Sequence, residues 1–340
     1  MAMKSILRCF ATAALLTASA AEAQLAPKTV FHPVGPWVAD YGEDYCRLSR
    51  TFSTGQRELR VALERLQPGP MVRLIVVGEG MRPLEGADRI GYAFEPVGSS
   101  GEARYVRSVM ADGSPFFSLD PVVMAPQRTA GGSRGRPPTY DRTVEQETAE
   151  EITGLTFEEG LRTPVEVKTG SLRAPIEALQ ACTDDLLAVW GLDADKHEAM
   201  TALPVMNPTP GGVLPDGTVP VSELPRLGGG INQVLLLVGS DGKVADCTIY
   251  SPSLTTSVNE RICDLARQRA SFVPAKDAQG QAMASLWTGS PLELFPQPPR
   301  VRHGRVLAGS SALGPVWGLT PPPSDAPMVV LVVPAGPPGN

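Results

Sequence analysis

The residues that could do chemistry are few and scattered. Three histidines, His32, His197 and His303, lie near the start, past the middle and in the tail of the chain. His197 has Asp193 and Asp195 close by, a combination that marks a helix end or a loop far more often than half of a catalytic pair. Ser133 sits in Gly131-Gly132-Ser133-Arg134-Gly135, which matches the Gly-x-Ser-x-Gly text of a nucleophile elbow. An elbow needs a strong strand before the serine, a helix after it, and an acid and a histidine downstream. Here the flanks are Gly/Pro-rich, so the stretch reads as a loop, with Arg128, Arg134, Arg136 and Arg142 as solvated surface. Glu145, Glu147, Glu150 and Glu151 read as a solvated face, because calcium needs a loop of alternating oxygen ligands. No phosphate loop, dinucleotide fingerprint or HExxH occurs. The expectation is a non-enzymatic protein without cofactor or metal. A hydrolase working through Ser133 or His197 is the remote alternative.

The cysteines carry more information. Residues 1–23 have the form of an export signal: Lys4 and Arg8 precede an apolar stretch, and Ala21-Glu22-Ala23 offers a small-x-small cleavage site before Gln24. Cleavage there would place the mature chain in a bacterial periplasm or outside the cell, with a net charge of −7. Such a balance gives no footprint for nucleic acid or an anionic membrane, and no further segment is apolar for long enough to span a bilayer. Four cysteines remain, and an even number in an oxidising compartment favours disulfides. Three pairings are possible. Cys247–Cys263 with Cys46–Cys182 is preferred, because the first bond then stays inside one small unit, where Cys247 shares a strand face with Ala245 and Ile249. A zinc site is the rival, disfavoured by the absence of Cys-x-x-Cys and of a histidine near any cysteine.

The elements around these residues follow from periodicity. Residues 231–238 are nearly all apolar, and Gly239-Ser240-Asp241-Gly242 then leads into strand-like residues 243–250, a hairpin signal. Leu254, Val258, Ile262 and Leu265 recur at helical spacing, Ser257 and Glu260 fit a capping box, and Pro274 lies beyond the helix end. Residues 281–294 read as a closing strand. Upstream, Leu59, Val61 and Leu63 alternate with charged residues, residues 71–77 form a denser apolar run, and weaker strand signals fall at 103–110, 116–124, 151–157 and 165–168. Ile176, Leu179, Cys182, Leu186 and Val189 predict a helix over 175–190, which Cys46–Cys182 would tie to an early strand.

The strand–strand–helix–strand order, with Gly242-Lys243-Val244-Ala245-Asp246-Cys247, Cys263, and Arg267 through Ala275 followed by Asp277 and Gly280, resembles the TonB C-terminal domain family over about residues 228–295. The resemblance implies a small module that meets an outer-membrane receptor or another envelope protein by adding a strand to its sheet. The implied acceptor edge holds Gln281, Met283, Ser285, Leu286 and Trp287, and Pro291 would blunt it.

The expected fold is therefore α+β. A signal peptide (1–23) precedes a mostly-β domain closed by one helix (24–202), a Pro/Gly-rich linker (203–227) with six prolines between 203 and 225, and the TonB-C-like module (228–295). A disordered Pro/Gly-rich tail (296–340) ends the chain, since that composition buries too little apolar surface to offset its chain entropy. The alternative to partner binding is a structural or peptidoglycan-associated role in the envelope.

Overall fold

The computed structural model describes residues 27–125, 140–296 and 330–333. The expected signal peptide, the Ser133 loop, His303 and most of the tail lie outside them. Ten strands and two helices make up the first part: β1 (Thr29–Tyr41), β2 (Cys46–Ser53), β3 (Glu58–Arg65), β4 (Met71–Gly78), β5 (Arg89–Glu95), β6 (Ser100–Val109), β7 (Pro115–Leu119), β8 (Val122–Val123), α1 (Arg142–Glu151), β9 (Gly154–Phe157), β10 (Val165–Val167) and α2 (Arg173–Val189). Nine of these strands pair in the order β10-β9-β5-β6-β7-β4-β3-β2-β1, and β1 returns to pair with β10. The sheet thereby closes into a barrel. It is mixed, because the β1–β10 closure is parallel while its other pairings are antiparallel. This corrects the α+β expectation: the chain is dominated by a closed nine-stranded β-barrel.

Strand alternation explains why these residues form the wall. Leu59, Val61 and Leu63 of β3 are buried while Glu58 and Arg60 are exposed, as a strand with one face on a core requires. Phe31, Phe52, Phe94, Phe117 and Phe157 are fully buried and share one core with residues of α2. At this barrel size the interior is filled by side chains. Two helices, not one, accompany the barrel. Ile176, Leu179, Cys182 and Leu186 put one stripe of α2 into the core, and Ala149 brings in α1.

The second part contains α3 (Ala194–Glu198), β11 (Val205–Met206), β12 (Gln233–Val238), β13 (Val244–Tyr250), α4 (Thr256–Arg269), β14 (Phe272–Val273), β15 (Ala275–Lys276), β16 (Ala282–Met283) and β17 (Ser285–Gly289). Antiparallel β13-β12-β17 form a three-stranded sheet, with α4 over one face. Gly242 turns the β12–β13 hairpin at φ +77, and its Cβ would lie 2.1 Å from the Phe272 carbonyl oxygen, so no larger residue fits. The expected capping box is not formed: Thr255 precedes α4, and its N–H donates to Glu223 at 2.9 Å. Residues 203–227 are no spacer. β11 pairs with β14, and Val213, Leu214 and Val219 are buried beneath the same core. The expected strand 281–294 breaks into β16, β17 and a 3₁₀ turn at Pro291–Leu294. Within the tail read as disordered, β18 (Val330–Val333) pairs with β1.

Candidate strand-accepting site

Among the described residues β1 is the longest strand, at 13 residues, yet β10 closes the barrel against only Thr29–Phe31. The strand swings away after this closure: Gly35 has φ +77, Pro36 follows, and the register with β2 shifts between Val34 and Val38. Pro36 cannot donate to a ladder. Beyond it, Val38–Tyr41 stays paired with β2 on one side only, as far as the barrel strands are concerned. The wall therefore has a seam, and an unpaired strand edge is a template for another strand.

The seam carries a strand in this structure. β18 lies antiparallel along it, with Trp37 opposite Val333 and Asp40 opposite Val330. Between Pro296 and Val330 the chain has 33 residues, enough to reach up to roughly 110 Å if extended. The strand is thus an addition from a part of the chain far from the barrel strands in sequence, rather than a continuation of the barrel.

The surrounding elements hold the edge in place. Cys46, the first residue of β2, pairs with Tyr41 and is bonded to Cys182 of α2, which packs against β1, β2, β3 and β18. Trp37 is buried edge-on against Phe52, with ring centroids 6.0 Å apart, and its Nε1 has no hydrogen-bond partner among the described residues. Tyr45 donates to Asp40 at 3.0 Å and fixes the turn at the strand's end.

Behind the turn, a buried ionic cluster locks the barrel to the second part. Glu64 sits between Arg47 (2.6 Å) and Arg73. Both guanidiniums donate to the Tyr250 hydroxyl of β13, at 3.2 and 3.0 Å, and Arg73 also donates to the Gly230 carbonyl at 2.5 Å. Burial alone would raise the Glu64 carboxyl, but Arg73, Arg47 and the Tyr250 hydroxyl outweigh it and hold it below the usual carboxylate range. Burial, with the charge of Glu64, pushes the Tyr250 hydroxyl up.

No protein-family model, curated protein or solved structure matches this chain. Both expected disulfides are present, Cys46–Cys182 and Cys247–Cys263. Among the described residues no helix is long and apolar enough to cross a membrane.

The other expected site residues separate. Ser285, Leu286 and Trp287 lie on β17, the terminal strand of its sheet, but Ser285 and Leu286 are buried and the Trp287 ring rests against Phe272 at 6.0 Å. Met283 belongs to the β15–β16 hairpin, and Gln281 precedes it, held by Asp277. Pro291 opens the turn after β17 rather than lying on the edge. The five residues therefore do not form one continuous edge. His197 lies on α3, half-buried, with Nδ1 3.0 Å from the Asp193 carbonyl and its pKa lowered by burial. Glu145 is not solvated. It is fully buried and paired with Arg65, with Tyr140 and Gln180 donating to the same carboxylate. Arg142 pairs with Asp184. Sequence reasoning missed the β1 edge. The signal was there, in a 13-residue β-prone stretch broken by Gly35-Pro36 and in the lone β-branched run at the tail.

Proposed function

We propose that this protein is an exported, non-catalytic binding protein that takes an extended polypeptide segment of an envelope partner as an added strand. The observation that supports the reading is the seam along β1, where β18 pairs with Trp37–Asp40 as a stand-in for such a segment. Main-chain hydrogen bonds along the edge supply affinity, and alternate side chains of the added strand meet the flanking surface. Export fits the two disulfides, and strand addition is the mode that the likeness of residues 228–295 to TonB C-terminal domains implies. The receiving edge is assigned to β1 rather than to β17, where burial of Ser285 and Leu286 leaves little room.

The test uses the full chain with Leu331→Pro and Val332→Pro, which empties the seam by removing the donors and extended freedom that β18 needs. A labelled peptide copying residues 328–334 binds this variant. It binds the unaltered chain at least tenfold more weakly, because a tethered strand competes at an effective concentration in the millimolar range. Absence of binding to the opened variant overturns the proposal. Sedimentation of both proteins with purified sacculi to the same extent, without peptide binding, favours a wall-associated role instead.

A further inference from the structure

The seam leads into a cleft of about 480 Å³ where the barrel meets the second part. Leu235 and Leu237 of β12 line it from the sheet side, and Trp190, just after α2, from the barrel side. The two leucines reach it because Val234, Leu236 and Val238 take the opposite face, against α4. Its rim carries Glu43 and Asp44, in the turn after β1, and Asp246 of β13. Asp246 is shared with Arg267 at 3.2 Å. Among the described residues neither Glu43 nor Asp44 forms an ion pair, although Arg47 acts on Asp44 from a distance. Burial, with Glu64 and Glu43 nearby, raises the Asp44 carboxyl, the direction expected of a carboxylate short of counter-charge.

The register of the added strand decides what would enter this cleft. β18 runs antiparallel to β1 with Val330 opposite Asp40, so residues preceding an added strand travel along Tyr41 toward Glu43 and Asp44. Three extended residues cover roughly 10 Å, enough to arrive at the rim. The cleft thus joins an acidic rim to the apolar side chains of Leu237 and Trp190.

The geometry points to a partner segment with lysine or arginine two to four residues before its apolar strand, the aliphatic stem lying on Leu237 and Trp190 and the charge reaching Glu43 and Asp44. This rests on the strand-accepting reading of β1, and it adds what that edge selects. A long basic side chain suits such a site because its stem is apolar and its head charged.

Two peptides test it against the Leu331→Pro/Val332→Pro chain by fluorescence anisotropy. Both carry the sequence of residues 328–334, one preceded by two lysines and the other by two aspartates. The lysine peptide is expected to bind at least tenfold tighter in dilute salt. The ratio should fall several-fold in 0.5 M salt, as screening requires, and also when Glu43→Gln and Asp44→Asn are added. Binding of the aspartate peptide by that fourfold variant shows that its seam remains folded. Equal binding of the two peptides overturns the cleft inference and leaves the strand-accepting reading standing. Failure of both peptides to bind overturns both readings.

Discussion

Arg73 of β4 donates to the hydroxyl of Tyr250 on β13 at 3.0 Å, across 177 residues of sequence. Arg73 also neutralises Glu64 and holds the Gly230 carbonyl, so one guanidinium joins the barrel wall, the second sheet and the loop between them. Removing one partner from a buried ionic cluster leaves a charge without compensation, which typically destabilises by about 3–5 kcal/mol. Arg73→Met is expected to fall near the lower end, because Arg47 still faces Glu64. Tyr250→Phe, which removes only the hydroxyl, should cost about 1–3 kcal/mol. Urea unfolding of both variants checks the order. A Tyr250→Phe loss larger than that of Arg73→Met would show that the hydroxyl, which accepts from both Arg47 and Arg73, matters more to the cluster than the Arg73 charge.

The pH response has two limbs of opposite sign. Glu64 has a lowered carboxyl pKa, so its stabilisation is complete above the unfolded value of about 4.3 and is lost as pH falls through the lower native value. Asp44 and Asp120 are raised, chiefly by burial. The native state takes up protons at these sites before the unfolded state does, so their contribution to stability increases as pH falls from neutrality. Stability should therefore rise slightly as pH falls from neutrality toward the ordinary carboxylate range and drop below about 4. Glu64→Gln should flatten the acid drop and reduce the rise without abolishing it, because the Glu64 charge helps to raise Asp44 while burial of Asp44 and Asp120 remains. Thermal unfolding monitored across that range reads both limbs.

How much of this was legible in the sequence differs by element. The alternation of Leu59, Val61 and Leu63 fixes a strand locally, and Cys182 on a helical stripe points to a bond with an early strand. Barrel closure had no local signal, since Thr29 pairs with Val165 across a span no turn chemistry marks. Composition misread residues 203–227: prolines and glycines suggest a spacer, whereas the few apolar residues among them, Val213, Leu214 and Val219, are the ones that pack. Charge patterning misread Glu145, because a carboxylate's exposure depends on whether a distant guanidinium, here Arg65, reaches it.

The two disulfides should act differently. Cys247 and Cys263 close a separation of 16 residues, worth about 3 kcal/mol in the chain-entropy model, whereas Cys46 and Cys182 close 136, worth about 5 kcal/mol. The second bond also holds α2 beside the β1 edge. Cys46→Ser/Cys182→Ser should therefore lower both stability and peptide binding by the seam-opened chain. Cys247→Ser/Cys263→Ser should lower stability alone. Equal loss of binding in both pairs would show that the bond by the seam has no positional role.

The loop that docks the two parts offers the sharpest mutational test of their interface. Gly229 adopts φ +58, and a Cβ there would lie 2.6 Å from the Val106 nitrogen and 2.7 Å from the Ser118 carbonyl oxygen, both barrel backbone. Its own carbonyl accepts from the Ser118 hydroxyl at 2.5 Å. Backbone on both sides leaves nothing flexible to move, and the left-handed conformation is itself unfavourable for alanine. Gly229→Ala is thus expected to push the loop off the barrel, weaken the Arg73–Gly230 and Asp120–Gly230 bonds beside it, and destabilise by more than about 1 kcal/mol. Gly217, also at positive φ but with open space around its Cβ position, supplies the control: Gly217→Ala carries the backbone strain without the collision. Hydrogen exchange at β6 and β7 that rises in Gly229→Ala but not in Gly217→Ala assigns the effect to undocking, and equal exchange in the two variants would assign it to backbone strain alone.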